Sequence, residues 1–221
     1  MLTIKLVRHG ESEENIGKVT SREVGAHAIG LSDLGHEQAR NAGRRIGREY
    51  LSGGLVYASP YKRTRQTLED LLDGAGEGGD DLRRNLRIYE DPRLREVDHG
   101  YDDVGRQEDL RKRHGWFYYR FRGGESPADC YDRTSSFLES MMRQAERNTT
   151  DRILIVTHGL LIRCFVMRFL HLSVEQFDQL ANPENGAIVT LADRTTLADC
   201  LFVSGNWGVS GLVNRDPSEM I

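Results

Sequence analysis

Short apolar runs alternate along the chain with longer stretches in which apolar positions recur every three or four residues. Leu2 to Val7 is a run rich in β-formers that stops abruptly at Arg8-His9-Gly10, the pattern of a buried strand ending in a functional loop. Leu55 to Ala58 is a second such run, and Arg152 to Thr157 is a third and the most strongly β-branched. Ala187 to Leu191 and Leu201 to Val203 predict later strands. Helical patterns lie between them. Ser32 is placed to cap a helix over Asp33 to Tyr50, in which Leu34, Gln38, Ala42 and Ile46 follow helical spacing. Ser59-Pro60 puts a cap and a first-turn proline before Tyr61 to Leu72, and Ser126-Pro127 repeats the device before a long helix that runs to about Arg147. Gly159 to Leu170 follows the third strand directly.

Strands alternating with helices of roughly ten or more residues predict an α/β fold, a three-layer α/β/α sandwich with a mostly parallel central sheet. There are no internal repeats, and residues 1–221 read as one domain. Two stretches resist assignment to the sheet. Asp98 to Gly124 is dense in charge and aromatics and reads as a lid-like insertion over the active site. Gly74 to Asp81 is a flexible loop by composition. Its glycines formally satisfy G-x-G-x-x-G, but they follow a helix rather than a strand, which argues against dinucleotide binding. The tail from Gly205 to Ile221 shows no obvious period and is expected to be mobile or to close over the site.

Composition narrows the function classes. Only 38% of residues are hydrophobic, yet a chain of this size can bury roughly 70% of the surface it exposes when unfolded. Thirty Lys and Arg against 34 Asp and Glu give a net charge of −4, which excludes a generally basic nucleic-acid binder and leaves room for local cationic pockets. Cys130, Cys164 and Cys200 form neither a CxxC pair nor a zinc spacing, so a reducing cytoplasm is the expected location. The N-terminal apolar run is too short for a signal-peptide core or a membrane span. Asn148-Thr149-Thr150 matches a glycosylation sequon and, without a secretory route, reads as a loop.

In open α/β sheets ligands sit beyond the carboxyl ends of the strands, and three predicted ends are loaded. Arg8, His9, Gly10, Glu11 and then Asn15 follow the first, Ser59, Arg63 and Arg65 the second, and Thr157, His158 and Gly159 the third. A lone histidine before a glycine is ordinarily a loop or cap residue, and arginines in Tyr61 to Arg65 are ordinarily a solvated helix face. The joint order of strand-Arg-His-Gly-Glu, strand-Ser-Pro-x-x-Arg and strand-Thr-His-Gly instead describes a cationic pocket for a phosphoryl group, with glycines that let the backbone come close.

These residues resemble the histidine phosphatase superfamily, whose best-known branch is the cofactor-dependent phosphoglycerate mutases. Leu6 to Ser12 with Asn15 is similar to its signature, and Ser59 to Thr67 resembles its second motif. Leu94-Arg95-Glu96 with Gly100 resembles its acid-bearing loop, Gly123 to Ser126 the start of its next helix, and Val156 to Gly159 its last motif. The resemblance runs from residue 4 to about residue 190. It implies that His9 is the nucleophile, forming a phosphohistidine. It further implies that Arg8, Arg63 and His158 clamp the phosphoryl oxygens with Asn15 and Gly159, and that Glu96 protonates the leaving alcohol and later activates water. The scheme calls for no metal and no cofactor, and His27, His36, His99, His114 and His171 show no metal-ligand spacing.

The match departs from the glycolytic mutases in the insertion. Their lid, with an Arg-Arg pair and a proline-rich stretch that grips the substrate carboxylate, is absent here. In its place stands Gln107 to Gly123 with Trp116, Phe117, Tyr118, Tyr119, Arg120, Phe121 and Arg122. Arg120 and Arg122 are candidate contacts to the substrate beyond its phosphate. Trp116, Tyr118 and Tyr119 are candidates for the pocket wall or for packing the insertion onto the sheet. The acid loop also lacks the family's usual Trp-Glu-Gly after its first glycine. This resembles a mutase-like branch of plants, fungi and bacteria, and it favours a metal-independent phosphatase acting on small phosphate monoesters. The alternatives are a 2,3-bisphosphoglycerate-dependent phosphoglycerate mutase and a non-catalytic phospholigand-binding regulator. The expected partner is a small phosphorylated substrate, with no nucleic acid and no membrane, and a homodimer is left open.

Overall fold

The computed structural model describes residues 1–76, 79–100 and 105–216. Strand β1 (Thr3–Arg8) is followed by a single turn, α1 (Ser21–Val24), and by α2 (Asp33–Leu51). Next come β2 (Leu55–Ala58), α3 (Lys62–Gly74), α4 (Gly79–Asn85) and β3 (Arg87–Glu90). The middle of the chain forms α5 (Glu108–His114), α6 (Pro127–Arg147), β4 (Arg152–Thr157), α7 (Gly159–Leu170) and α8 (Val174–Gln179). It closes with β5 (Ile188–Asp193), β6 (Phe202–Ser204) and β7 (Trp207–Ser210).

The seven strands form one sheet in the order β3-β2-β4-β1-β5-β7-β6. The first four are mutually parallel, and β5, β7 and β6 extend the sheet antiparallel beyond β1. Successive side chains of β1, β2 and β4 point to opposite faces. Ile4, Leu6, Leu55, Tyr57, Ile153 and Ile155 pack with α6 and α7, while Val7, Val56, Ala58, Leu154 and Val156 pack with α2 and α3. Both faces are therefore buried, which is why these strands are continuous apolar runs rather than alternating ones. The α/β/α sandwich expected from the sequence is the observed fold.

Helix starts follow their local chemistry at two of the three predicted caps. Ser32 accepts from Gly35 N, and Ser126 forms a capping box with Asp129. At the third the expectation is corrected. The N-cap of α3 is Tyr61, with no side-chain cap bond, and the Ser59 hydroxyl is turned into the site described below.

Two strands lay outside the sequence reading. β3, Arg-Ile-Tyr-Glu, is an exposed edge strand and lacks the apolar run of a buried one. β7 lies in the tail that was expected to be mobile. It pairs with both β5 and β6, and further on Asn214 bridges to Leu180, so the tail from Gly205 to Asp216 is part of the scaffold. Residues 217–221 of that tail, 77–78 of the glycine-rich loop and 101–104 of the insertion lie outside the described residues. Among the described residues no helix is long and apolar enough to cross a membrane, and the three cysteines are free.

Candidate active site

The carboxyl ends of β1, β2 and β4 are neighbours in the sheet, so the three loaded loops converge. His9 N donates to Thr157 O at 2.9 Å, which ties the loop after β1 to the end of β4. Gly10 is required here because a Cβ would lie 2.2 Å from Gly35 O, at the start of α2. His9 Nδ1 lies 2.7 Å from Gly10 O. A carbonyl only accepts, so Nδ1 carries the proton and Nε2 presents its lone pair. Arg63 Nε donates to that nitrogen at 3.2 Å.

Arg63 organises the centre. It is 5% exposed, and Nη1 donates to Ala26 O at 2.6 Å while Nη2 reaches His158 Nδ1 at 3.2 Å. Guanidinium cannot accept, so His158 Nδ1 is the acceptor and Nε2–H donates to Ser59 Oγ at 2.9 Å. Thr67 Oγ1 links the same helix to the first loop, donating to Arg63 O and accepting from Gly10 N. Burial holds both histidines well below their ordinary pKa, and the Arg63 guanidinium adds to the effect. Both rings are therefore neutral near pH 7.

Arg8 Nη1 donates to Pro183 O at 2.7 Å, and its buried Nε has no hydrogen-bond partner. A Cβ on Gly159 would stand 3.4 Å from that Nε. An unpaired buried guanidinium nitrogen beside Arg63 and two histidines suits a phosphate oxygen. Glu96 leaves a short 3-10 turn over Pro92–Leu94, and its carboxylate accepts from Val97 N at 3.0 Å and from Leu160 N at 3.4 Å in the first turn of α7. Asn15 Oδ1 accepts from Ser12 and from Asn185 Nδ2.

The structure thus brings Arg8, His9, Arg63, His158 and Gly159 together, with Glu96 and Asn15 at the edge. A cavity of about 710 Å³ opens from this cluster, with Arg63, Glu96 and Asn15 in its wall. Arg120 and Arg122 are not in that wall. Arg120 is 68% exposed and paired with Asp129 at 2.5 Å, and the Arg122 side chain is exposed. Of the insertion, Asp98, His99 and Gly100 line the cavity, whereas residues 105–124 do not. Phe117 packs edge-on against Phe177 at 5.1 Å, and Trp116 packs against Phe177 at 5.7 Å with the guanidinium groups of Arg111, Arg163 and Arg215 about its ring. These aromatics fasten the insertion to the body. Among the described residues no group of three or more His, Cys, Asp or Glu side chains is clustered to hold a metal ion.

A sequence profile of the histidine phosphatase superfamily, branch 1, matches residues 4–197. The chain belongs to this superfamily. The phosphoglycerate mutase-like protein AT74 of Arabidopsis thaliana is 39% identical over 203 residues, covering 84% of this chain and 63% of its own length. The chain thus spans less than two thirds of that relative. The broad-range acid phosphatase DET1 of Saccharomyces cerevisiae is 27% identical, with 85% of this chain and 84% of that protein covered. The native structure of a mycobacterial glucosyl-3-phosphoglycerate phosphatase shares the fold, with a TM-score of 0.69 at 24% identity over 96% of this chain and 98% of that one.

Several residues of this histidine phosphatase site escaped the sequence reading. Asn185 Nδ2 donates to His9 O at 3.1 Å from 176 positions away, and Tyr61 packs edge-on against the His158 ring at 5.1 Å. Glu14, Ser21, Arg22 and Ala26 line the cavity from the segment between β1 and α2. Only Ser59 left a local signal, its place at a loaded strand end, and that signal is shared with an ordinary helix cap.

Proposed function

We propose that this protein is a phosphatase that hydrolyses small phosphate monoesters through a phosphohistidine on His9. The observation that carries the reading is the fixed tautomer of His9, whose Nδ1–H is spent on Gly10 O so that Nε2 is a lone pair facing Arg63. Burial keeps that nitrogen unprotonated, as a nucleophile requires.

In the first step Nε2 attacks phosphorus, the P–O ester bond breaks, and Glu96 gives its proton to the departing alkoxide. In the second, water attacks the phosphohistidine, loses its proton to Glu96 and releases inorganic phosphate from His9. Arg8 and Arg63 supply positive charge to the phosphoryl oxygens as charge redistributes. A non-catalytic binding role leaves both the presented lone pair and the adjacent carboxyl without a use. A mutase reading draws support from the 2,3-bisphosphoglycerate-dependent mutases of Brucella, which are 29% identical over 184 residues.

The test is hydrolysis of p-nitrophenyl phosphate in excess chelator by wild type and His9→Ala, with phosphate-labelled protein trapped by rapid quench. Turnover with chelator, an acid-labile label in wild type and neither in the variant are expected. Undiminished turnover by His9→Ala would sink the nucleophile. Fast 3- to 2-phosphoglycerate exchange stimulated by bisphosphoglycerate would select the mutase.

A further inference from the structure

The cavity that holds Arg63 in its wall is also lined by the acidic residues Glu14, Glu96 and Asp98 and by one further cation, the exposed Arg22. The Glu14 and Asp98 carboxylates are each held by a backbone donor. Glu14 Oε1 accepts from Ser21 N at 2.8 Å, and Asp98 Oδ1 accepts from Gly100 N at 2.8 Å. Neither has an ion-pair partner among the described residues. Their fields meet at His99, whose ring lines the cavity and packs edge-on against Phe121 at 4.6 Å, and the field of Glu14 also reaches Arg63.

This arrangement is unfavourable for a substrate whose only charges are negative. A phosphate dianion bound at Arg8 and Arg63 consumes the two clamp cations. The rest of the ester then lies in a cavity lined by three acidic residues and one remaining cation, and a second anion there meets an excess of like charge. An ammonium group on the leaving alcohol reverses both terms. It pairs with carboxylates that are already positioned, so little side-chain ordering is lost on binding.

We infer that Glu14 and Asp98 select esters whose leaving alcohol bears an ammonium group, so that the substrates are phosphate monoesters of small amino alcohols. The inference rests on the phosphatase reading above and adds the substrate class.

A matched pair isolates the relevant charge. O-phospho-L-serine and 3-phosphoglycerate in its L form, which has the same C2 configuration, share the phosphate on C3, the carbon skeleton and the carboxylate, and differ at C2 in ammonium against hydroxyl. Arg22 acts on the common carboxylate alike in both, so the ratio of their kcat/KM values reads the C2 substituent. At low salt wild type is expected to favour the ammonium ester by at least about tenfold, the size of a single well-placed charge contact. Glu14→Gln and Asp98→Asn should each bring the ratio down toward one, as should raised ionic strength. Equal rates, or faster 3-phosphoglycerate hydrolysis, would overturn the inference, as would a large ratio that neither variant moves.

Calorimetric binding of the two esters to His9→Ala reads the same preference without turnover. If wild type hydrolyses no ester, including p-nitrophenyl phosphate, the phosphatase reading fails. The relative affinities for the variant then still decide the charge preference. Weaker or equal binding of O-phospho-L-serine ends it.

Discussion

Ser59 Oγ lies 2.9 Å from His158 Nε2 and accepts a hydrogen bond from its N–H, because Arg63 Nη2 donates to Nδ1. Arg63 thus sets the tautomer, and the buried Ser59 hydroxyl, 99 positions back along the chain, supplies the acceptor that the Nε2–H needs. In this state Nδ1 can only accept. For the ring to donate to a phosphate oxygen it must take up a proton at Nδ1 while keeping the bond to Ser59.

Ser59→Ala removes that support. Turnover of p-nitrophenyl phosphate should fall by about tenfold, the worth of one buried hydrogen bond, and stability should drop by about 1–3 kcal/mol because the buried Nε2–H is left without an acceptor. Nitrogen NMR of His158 should show the Nε2–H signal shifted as it loses its acceptor, while Arg63 keeps Nδ1 unprotonated. An unchanged spectrum together with unchanged kcat/KM would remove Ser59 from the site.

Glu96→Gln should separate leaving groups. A nitrophenolate leaves without a proton, whereas an alkoxide does not. Hydrolysis of an alkyl phosphate should drop by about 10² to 10⁴, the usual contribution of a positioned general acid. Loss on p-nitrophenyl phosphate should be much smaller. Equal losses on the two esters would assign Glu96 to binding rather than to proton transfer.

The buried histidines make stability depend on pH. His9 and His158 have folded pKa values well below the ordinary 6.5, first through burial and then through Arg63. Between the folded and unfolded values the unfolded chain holds more protons. Their contribution is therefore complete above about pH 6.5 and is lost as pH falls, at up to about 1.4 kcal/mol per pH unit for each ring. Urea midpoints at pH 7.5 and 5.5 should show the decline, and replacing both histidines should flatten it. A midpoint that rises toward pH 5.5 would contradict the burial of these rings.

Gly35→Ala tests the packing that holds the nucleophile loop. A Cβ at this position would stand 2.0 Å from Glu11 O, against backbone that cannot swing aside. The variant should lose about 1–3 kcal/mol of stability, the range for overpacking. It should also lose activity, because Glu11 is two residues from His9. A fully active, equally stable variant would show that the helix and the loop are less tightly fitted.

What the sequence determined by itself is local. Continuous apolar runs marked β1, β2 and β4 because strands buried on both faces need no alternation, and Ser32 and Ser126 marked helix starts because a hydroxyl beside free N–H groups is a local bond. His9, Arg63 and His158 were legible for the same reason, each lying at or just past the end of such a run. The tertiary structure decided what depends on distant segments meeting. It recruited β7 from an aperiodic tail and turned Ser59 from a helix cap into the partner of His158. It brought Asn185 onto the His9 carbonyl, and Asp98 and His99 rather than Arg120 and Arg122 into the cavity wall. None of these contacts has a period or a neighbour in sequence to announce it, because each is set by how crossovers and loops pack once the sheet has formed.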